Sequence, residues 1–175
     1  MKLNNVKNFS IFIIFIFCFL VHFLYDFFPS FLTALFFPVN ESVWEHMKML
    51  VSSIIIWEFI LFIVFKKNNY FFNNFFFSVL CTCICSVIIF LSMYYPLYFL
   101  FGDHFIINVI LLFISIFLSV NIGFKILNMN DFNFEFISFL FIILMYTMFA
   151  IFTYNPPKYP IFMDPRNGSY GISFD

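Results

Sequence analysis

Three histidines and a group of carboxylates carry whatever chemistry this chain of 175 residues can do. His22 and Asp26 lie one helical turn apart, on one face. Glu41, Glu45, His46 and Lys48 fall within eight residues of each other, Asp103 and His104 open a later apolar run, and Asp164 and Arg166 stand near the C-terminus. A catalytic zinc needs about three His or carboxylate ligands and an open position for water. His22, Asp26 and His104 suit the ligands, with His46 as a substitute, and Glu45 or Glu41 suits the general base for bound water. Asn40, Lys48, Asn108, Asp164 and Arg166 complete the polar set. The chain has no H-E-x-x-H, so such ligands have to be gathered from separate helices.

Each residue also has a plainer reading. Ser42-Val43-Trp44-Glu45 fits a capping box, and Asp103 fits an N-cap. His22 and Asp26 can hydrogen-bond each other. Capping does not require three histidines and several carboxylates together, and that favours the site. Cys81, Cys83 and Cys85 resemble a metal cluster, but at about 100° per residue Cys83 points away from the other two. They read as small filler in a helix.

The elements that must position these residues follow from composition. The chain is 64% hydrophobic and 10% charged, with a mean hydropathy of +1.03, against about 25% charged in soluble domains. Lipid is therefore the expected solvent, and the net charge of -1 excludes a basic footprint for nucleic acid. The 35 Phe residues fit biased base usage and cheap insertion into a bilayer. Five apolar runs predict an all-α integral membrane bundle of five transmembrane helices, over 9–28, 42–65, 70–95, 104–127 and 134–154. Residues 29–38 form a surface connection, and Pro96 marks an exit from the third helix. The first run has no A-x-A-like cleavage site and reads as an uncleaved helix. The pattern divides the chain into a domain over 1–154 and a Pro- and Tyr-rich tail over 155–175, which either docks as a lid or lies along the headgroups with its aromatics as anchors.

Lys2, Lys7, Lys66, Lys67 and Lys125 fall on one side of such a bundle, and Lys48, Lys158 and Arg166 on the other. The positive-inside rule then puts the N-terminus inside and Asp175 outside. All three histidines and six of the nine acids gather at the outer face. His104, Asn108, Ser115 and Ser119 form a polar stripe running inward along the fourth helix. Glu58 lies at the depth of Asn73, Asn74 and Asn121, which predicts either a Glu–Asn contact or a step for an ion or proton.

The block Pro38-Val39-Asn40-Glu41-Ser42-Val43-Trp44-Glu45-His46, followed by Lys48, resembles the signature of a bacterial family of small membrane proteins of unknown function. His22-Phe23-Leu24-Tyr25 is similar to that family's first-helix motif. Pro156-Pro157, Asp164-Pro165 and Tyr170-Gly171-Ile172 are similar to its closing motif. The resemblance covers most of the chain and implies its topology and site residues, but no activity. The family often has an acid one turn after the histidine that opens the fourth helix; here that position is Asn108.

Two functions fit. One is a membrane-embedded hydrolase of the bacterial cytoplasmic membrane, with a divalent metal such as zinc, acting on a lipid or hydrophobic peptide. The other is a binding or transport module for a cation or small solute, with Glu58 and the fourth-helix stripe as a route inward. A structural membrane subunit is the plainest alternative.

Overall fold

Long runs of Phe, Ile and Leu leave the backbone one way to satisfy its polar groups without water, which is to coil on itself. In the computed structural model, which describes residues 3–172, the described residues form helices α1 (Leu3–His22), α2 (Leu24–Phe27), α3 (Phe31–Phe36), α4 (Val43–Lys67), α5 (Phe75–Phe101), α6 (Phe105–Leu127) and α7 (Glu135–Tyr154). One 3-10 turn follows at Pro160–Phe162. Five helical stretches are long and apolar enough to cross a membrane: Leu3–Phe27, Val43–Lys67, Phe75–Phe101, Phe105–Leu127 and Glu135–Tyr154. Lys2 and Asp175 lie outside the described residues.

α4 is the most enclosed helix. It packs against α1 on one side and α5 on another, while α6 lies against α1 and α5, and α7 against α5 and the short α3. The α5–α6 seam is made of small residues. Ser78, Thr82 and Ser86 on α5, and Ser115, Ser119 and Gly123 on α6, recur every four residues and are buried. Small side chains let helix backbones approach where lipid supplies no hydrophobic drive between them. Here the Ser78 hydroxyl donates to the Gly123 carbonyl at 2.7 Å.

Several expected boundaries move. α5 runs through Pro96 to Phe101. Proline removes one N–H and crowds one carbonyl, but the turns beyond it still close, as Gly102 N–H bonds Tyr98 O at 2.8 Å. The 29–38 connection contains α3, capped by a reciprocal Ser30–Thr33 pair. His104, and not Asp103, is the N-cap of α6, and it makes no side-chain cap bond. The capping box at Ser42 is half formed: its hydroxyl accepts from Glu45 N–H at 3.3 Å, while the Glu45 carboxylate is engaged elsewhere.

The serines of the fourth-helix stripe reach no other polar side chain among the described residues. Ser115 and Ser119 are buried and donate to carbonyls of their own helix. Nor does the Glu58–Asn contact form. The Asn74 side chain holds the α6–α7 turn through Met129 O, Asn130 O and Phe132 N, and Asn121 donates to Phe117 O.

Candidate functional site

At the end of the bundle where α1 stops and α4 starts, three chain segments converge. α1 ends at His22, and after Phe23 the short α2 continues the same stretch to Phe27. Between α3 and α4, Asn40 fixes the approach to α4. Its side-chain oxygen accepts from Ser42 N–H at 2.9 Å, and its amide donates to Gly171 O of the tail at 3.0 Å. Glu41 is thereby held just outside the helix, not on its face.

The Glu41 carboxylate is the centre of the cluster. One oxygen, Oε2, lies 3.6 Å from His22 Nε2 and 3.6 Å from His46 Nε2. The other, Oε1, lies 3.2 Å from Arg166 Nη2 of the tail. The His22 imidazole 3.6 Å away, opposed by partial burial and helped by the charges of His46 and Arg166, holds the Glu41 carboxyl below its usual range. The two imidazole rings stand 5.4 Å apart, centre to centre. His46 Nδ1 lies 2.9 Å from Ser42 O. A carbonyl can only accept, so Nδ1 carries a proton, and whenever the ring is neutral Nε2 is the nitrogen left with a lone pair.

A cavity of about 200 Å³ opens beside the cluster, lined by His22, Asp26, Asn40, Glu41, Asp164 and Arg166 among others. The tail forms its far wall. Asp164 accepts from Glu41 N–H at 3.4 Å and from Arg166 N–H at 2.8 Å, so one carboxylate ties the tail turn to the start of α4. Met163 and Tyr170 pair across that turn. Gly171 sits at φ +66°, and a Cβ there would meet the Thr153 carbonyl at 2.6 Å, so the chain lies directly on the end of α7. Phe162 packs on Trp44 and Phe152, away from the cavity mouth, and Tyr159 is exposed. From the tail, Asp164 and Arg166 line the cavity.

Of the residues expected from sequence, His22, Asp26, Asn40, Glu41, Asp164 and Arg166 border one cavity, and His46 joins His22 and Glu41. The other four are placed differently. Glu45 is fully buried, with Lys48 Nζ at 2.6 Å and the Thr153 hydroxyl at 2.7 Å from its oxygens. Lys48 donates also to Thr153 Oγ1 and Ala34 O, each at 2.8 Å, which uses all three of its N–H groups. A carboxylate so engaged is not free to take a proton from a bound water. Asp103 and Asn108 bond each other at 2.6 Å, and His104 beside them is exposed. His104 is not among the three residues whose ligand atoms converge. It opens α6, which packs on α1 and α5, while Asp103 beside it acts electrostatically on His46. Thr153, which sequence reading missed, is the third member of the Glu45–Lys48 pair. Its only signal was a hydroxyl near the end of an apolar run.

Among the described residues, His22, Glu41 and His46 form the one group able to hold a metal ion, with one ligand atom each and all three atoms within 4.8 Å of one another. Four-coordinate zinc at about 2.0–2.1 Å sets its ligand atoms about 3.3 Å apart, so modest side-chain rotation brings the three into range. One further feature suits a metal at His46, while His22 Nδ1 is buried without such a partner. The His46 Nδ1–carbonyl contact is the outer-shell bond that usually orients a ligating histidine.

The chain belongs to a family of unknown function, DUF6512, whose model matches residues 2–172. Neither a curated protein nor a solved structure matches the chain.

Proposed function

Since family membership assigns no activity, we propose a function from the site: a multi-pass protein of the bacterial cytoplasmic membrane that holds a divalent metal, zinc or a similar ion, between His22, Glu41 and His46, and hydrolyses a lipid or hydrophobic peptide at the outer membrane face. The observation that carries this reading is the convergence of two imidazole nitrogens and one carboxylate oxygen within 4.8 Å, beside a cavity of about 200 Å³. Two histidines and one glutamate are a ligand set of catalytic zinc sites, which keep a further position for water. When bound, the ion supplies a water acidified towards pH 7 and a Lewis acid for a carbonyl or phosphoryl oxygen.

The chain's own residues divide the remaining work. Ser42 O orients His46, and Arg166 orients Glu41 from its other oxygen. With Glu41 among the ligands and Glu45 paired to Lys48, the general base falls to Asp26, which lines the same cavity and makes no ion pair. Arg166, largely exposed at the cavity wall, suits the stabilisation of a developing oxyanion once substrate displaces it from Glu41.

The test is elemental analysis of the protein purified without chelator, alongside His22→Ala and His46→Ala. About one transition metal per chain, lost in both variants with helix content retained, is the expected result. Protein that stays metal-free after incubation with zinc would sink the proposal. A cation-binding module without hydrolysis is separated by Asp26→Asn, which leaves metal content unchanged under both readings and abolishes turnover only under the first.

A further inference from the structure

The opposite end of the bundle holds a second cavity of about 190 Å³, where the start of α1 meets the end of α6. Lys7 lines it from α1 and Lys125 from α6, with the amides of Asn4, Asn121 and Asn128 around them. Asn121 and Asn128 are anchored by donating to carbonyls of their own helix, Phe117 O at 2.7 Å and Phe124 O at 2.6 Å. Among the described residues, no carboxylate pairs with either ammonium group. The ion pairs among the described residues all lie at the other end, on Glu41 and Glu45. Two lysines in one crevice without a counter-charge repel each other, and an anion between them relieves that repulsion.

The surroundings indicate which anion. Lys7 sits about one turn into a helix long and apolar enough to cross a membrane, and Lys125 in the last turn of another. That is the level of lipid headgroups. Further along the same helix pair Phe12 meets Phe113 at 6.3 Å, with Phe12 well exposed, so a polar crevice gives way to an apolar outer surface. A ligand with a phosphate at one end and hydrocarbon at the other fits both. Basic pockets between membrane helices have this character. A zwitterionic lipid brings its own cation and leaves the lysines uncompensated, whereas a lipid of net negative charge does not.

We propose that this crevice binds the headgroup phosphate of an anionic glycerophospholipid between Lys7 and Lys125, with an acyl chain along the α1–α6 seam. The site is independent of the metal cluster. The test is native mass spectrometry of the full chain, exchanged into equimolar phosphatidylglycerol and phosphatidylcholine, comparing the parent with Lys7→Gln/Lys125→Gln and with Lys66→Gln/Lys67→Gln. Phosphatidylglycerol should be retained in preference to phosphatidylcholine. At roughly 1 kcal/mol per lysine near the surface, each removal weakens that preference about fivefold, and the pair about thirtyfold. The Lys66/Lys67 variant, altered at the end of α4, should keep the parent's preference. Equal retention of the two lipids by the parent, or equal loss in both double variants, overturns the proposal. So does binding of inorganic phosphate with no lipid preference, which would make the crevice a free-phosphate site.

Discussion

Glu41 and Glu45 are four residues apart and have opposite situations. Glu41 stands outside α4, half-exposed to a cavity and shared among two imidazoles and a guanidinium. Glu45 is inside the bundle, closed in a triangle with Lys48 and Thr153. A buried pair of this kind adds little over well-packed apolar side chains, yet breaking it leaves a charge without solvent or partner. Replacing Lys48 with Met should therefore cost about 3–5 kcal/mol, read as a fall in the unfolding temperature of the detergent-solubilised protein. Glu45→Leu in the same chain should restore most of the loss. A single variant as stable as the parent would show that the pair is not the lock between α4 and α7. At Glu41 the sign is set by its lowered carboxyl. The contribution of its ionised form is fully present above the usual value of 4.5 and is lost as the pH falls through the folded value. Tail docking, followed by protease cleavage at Arg166, should not loosen between neutral pH and about 5, and should loosen below that range. Loosening already near neutral pH would assign the tail's hold to another group.

At the scale of elements, α5 and α6 depend on one glycine. A Cβ on Gly123 would lie 2.0 Å from Thr82 Oγ1 and 3.3 Å from Ser78 Oγ. Thr82 cannot swing away cheaply, because a β-branched side chain in a helix has few rotamers and its hydroxyl is bonded to Ser78 O at 2.8 Å. Gly123→Ala should destabilise the bundle by roughly 1–3 kcal/mol, the usual cost of overpacking. Thr82→Ala added to it should recover most of that, since the next contact is merely tight. Thermal unfolding of the three variants decides it, and failure of Thr82→Ala to rescue would mean the seam is looser than its geometry. α4 belongs to the same scale. Its N-terminal turn carries His46 to within 3.6 Å of Glu41 and buries Glu45 and Lys48 against α7.

Across the whole molecule, five helical stretches place the metal-competent cluster and the Lys7–Lys125 crevice at opposite ends. The tail returns to line the cavity beside the first. It is held by Asn40 to Gly171 O, by Asp164 to Glu41 N–H and by Arg166 to the Glu41 carboxylate. Protease added from the tail side should cut slowly at Arg166 in the parent and faster in Glu41→Gln. Reporter fusions at the 67–69 turn should read as cytoplasmic, and fusions after the tail as external. A cytoplasmic tail would invert the orientation and move the candidate site to the inner face.

Helix number and type were legible in the chain because lipid leaves an apolar run of this length little choice but an internally bonded helix. The Asn40–Lys48 block and the Asp164–Arg166 stretch were legible as polar residues too concentrated for capping alone. Local signals misled where a neighbour overrode them. Pro96 reads as a stop, but the helix continues past it because the turns on either side still bond. Glu45 reads as a free acid, but Thr153, 108 residues away, and Lys48 engage it. His104 shares a chemistry with His22 and His46, but its ring does not join their converging ligand atoms. Periodicity and hydropathy fix what each residue can do within its own helix. Which polar ends meet depends on the rotation and tilt of helices packed through distant contacts such as Gly123 on Thr82, and only the tertiary structure decides that.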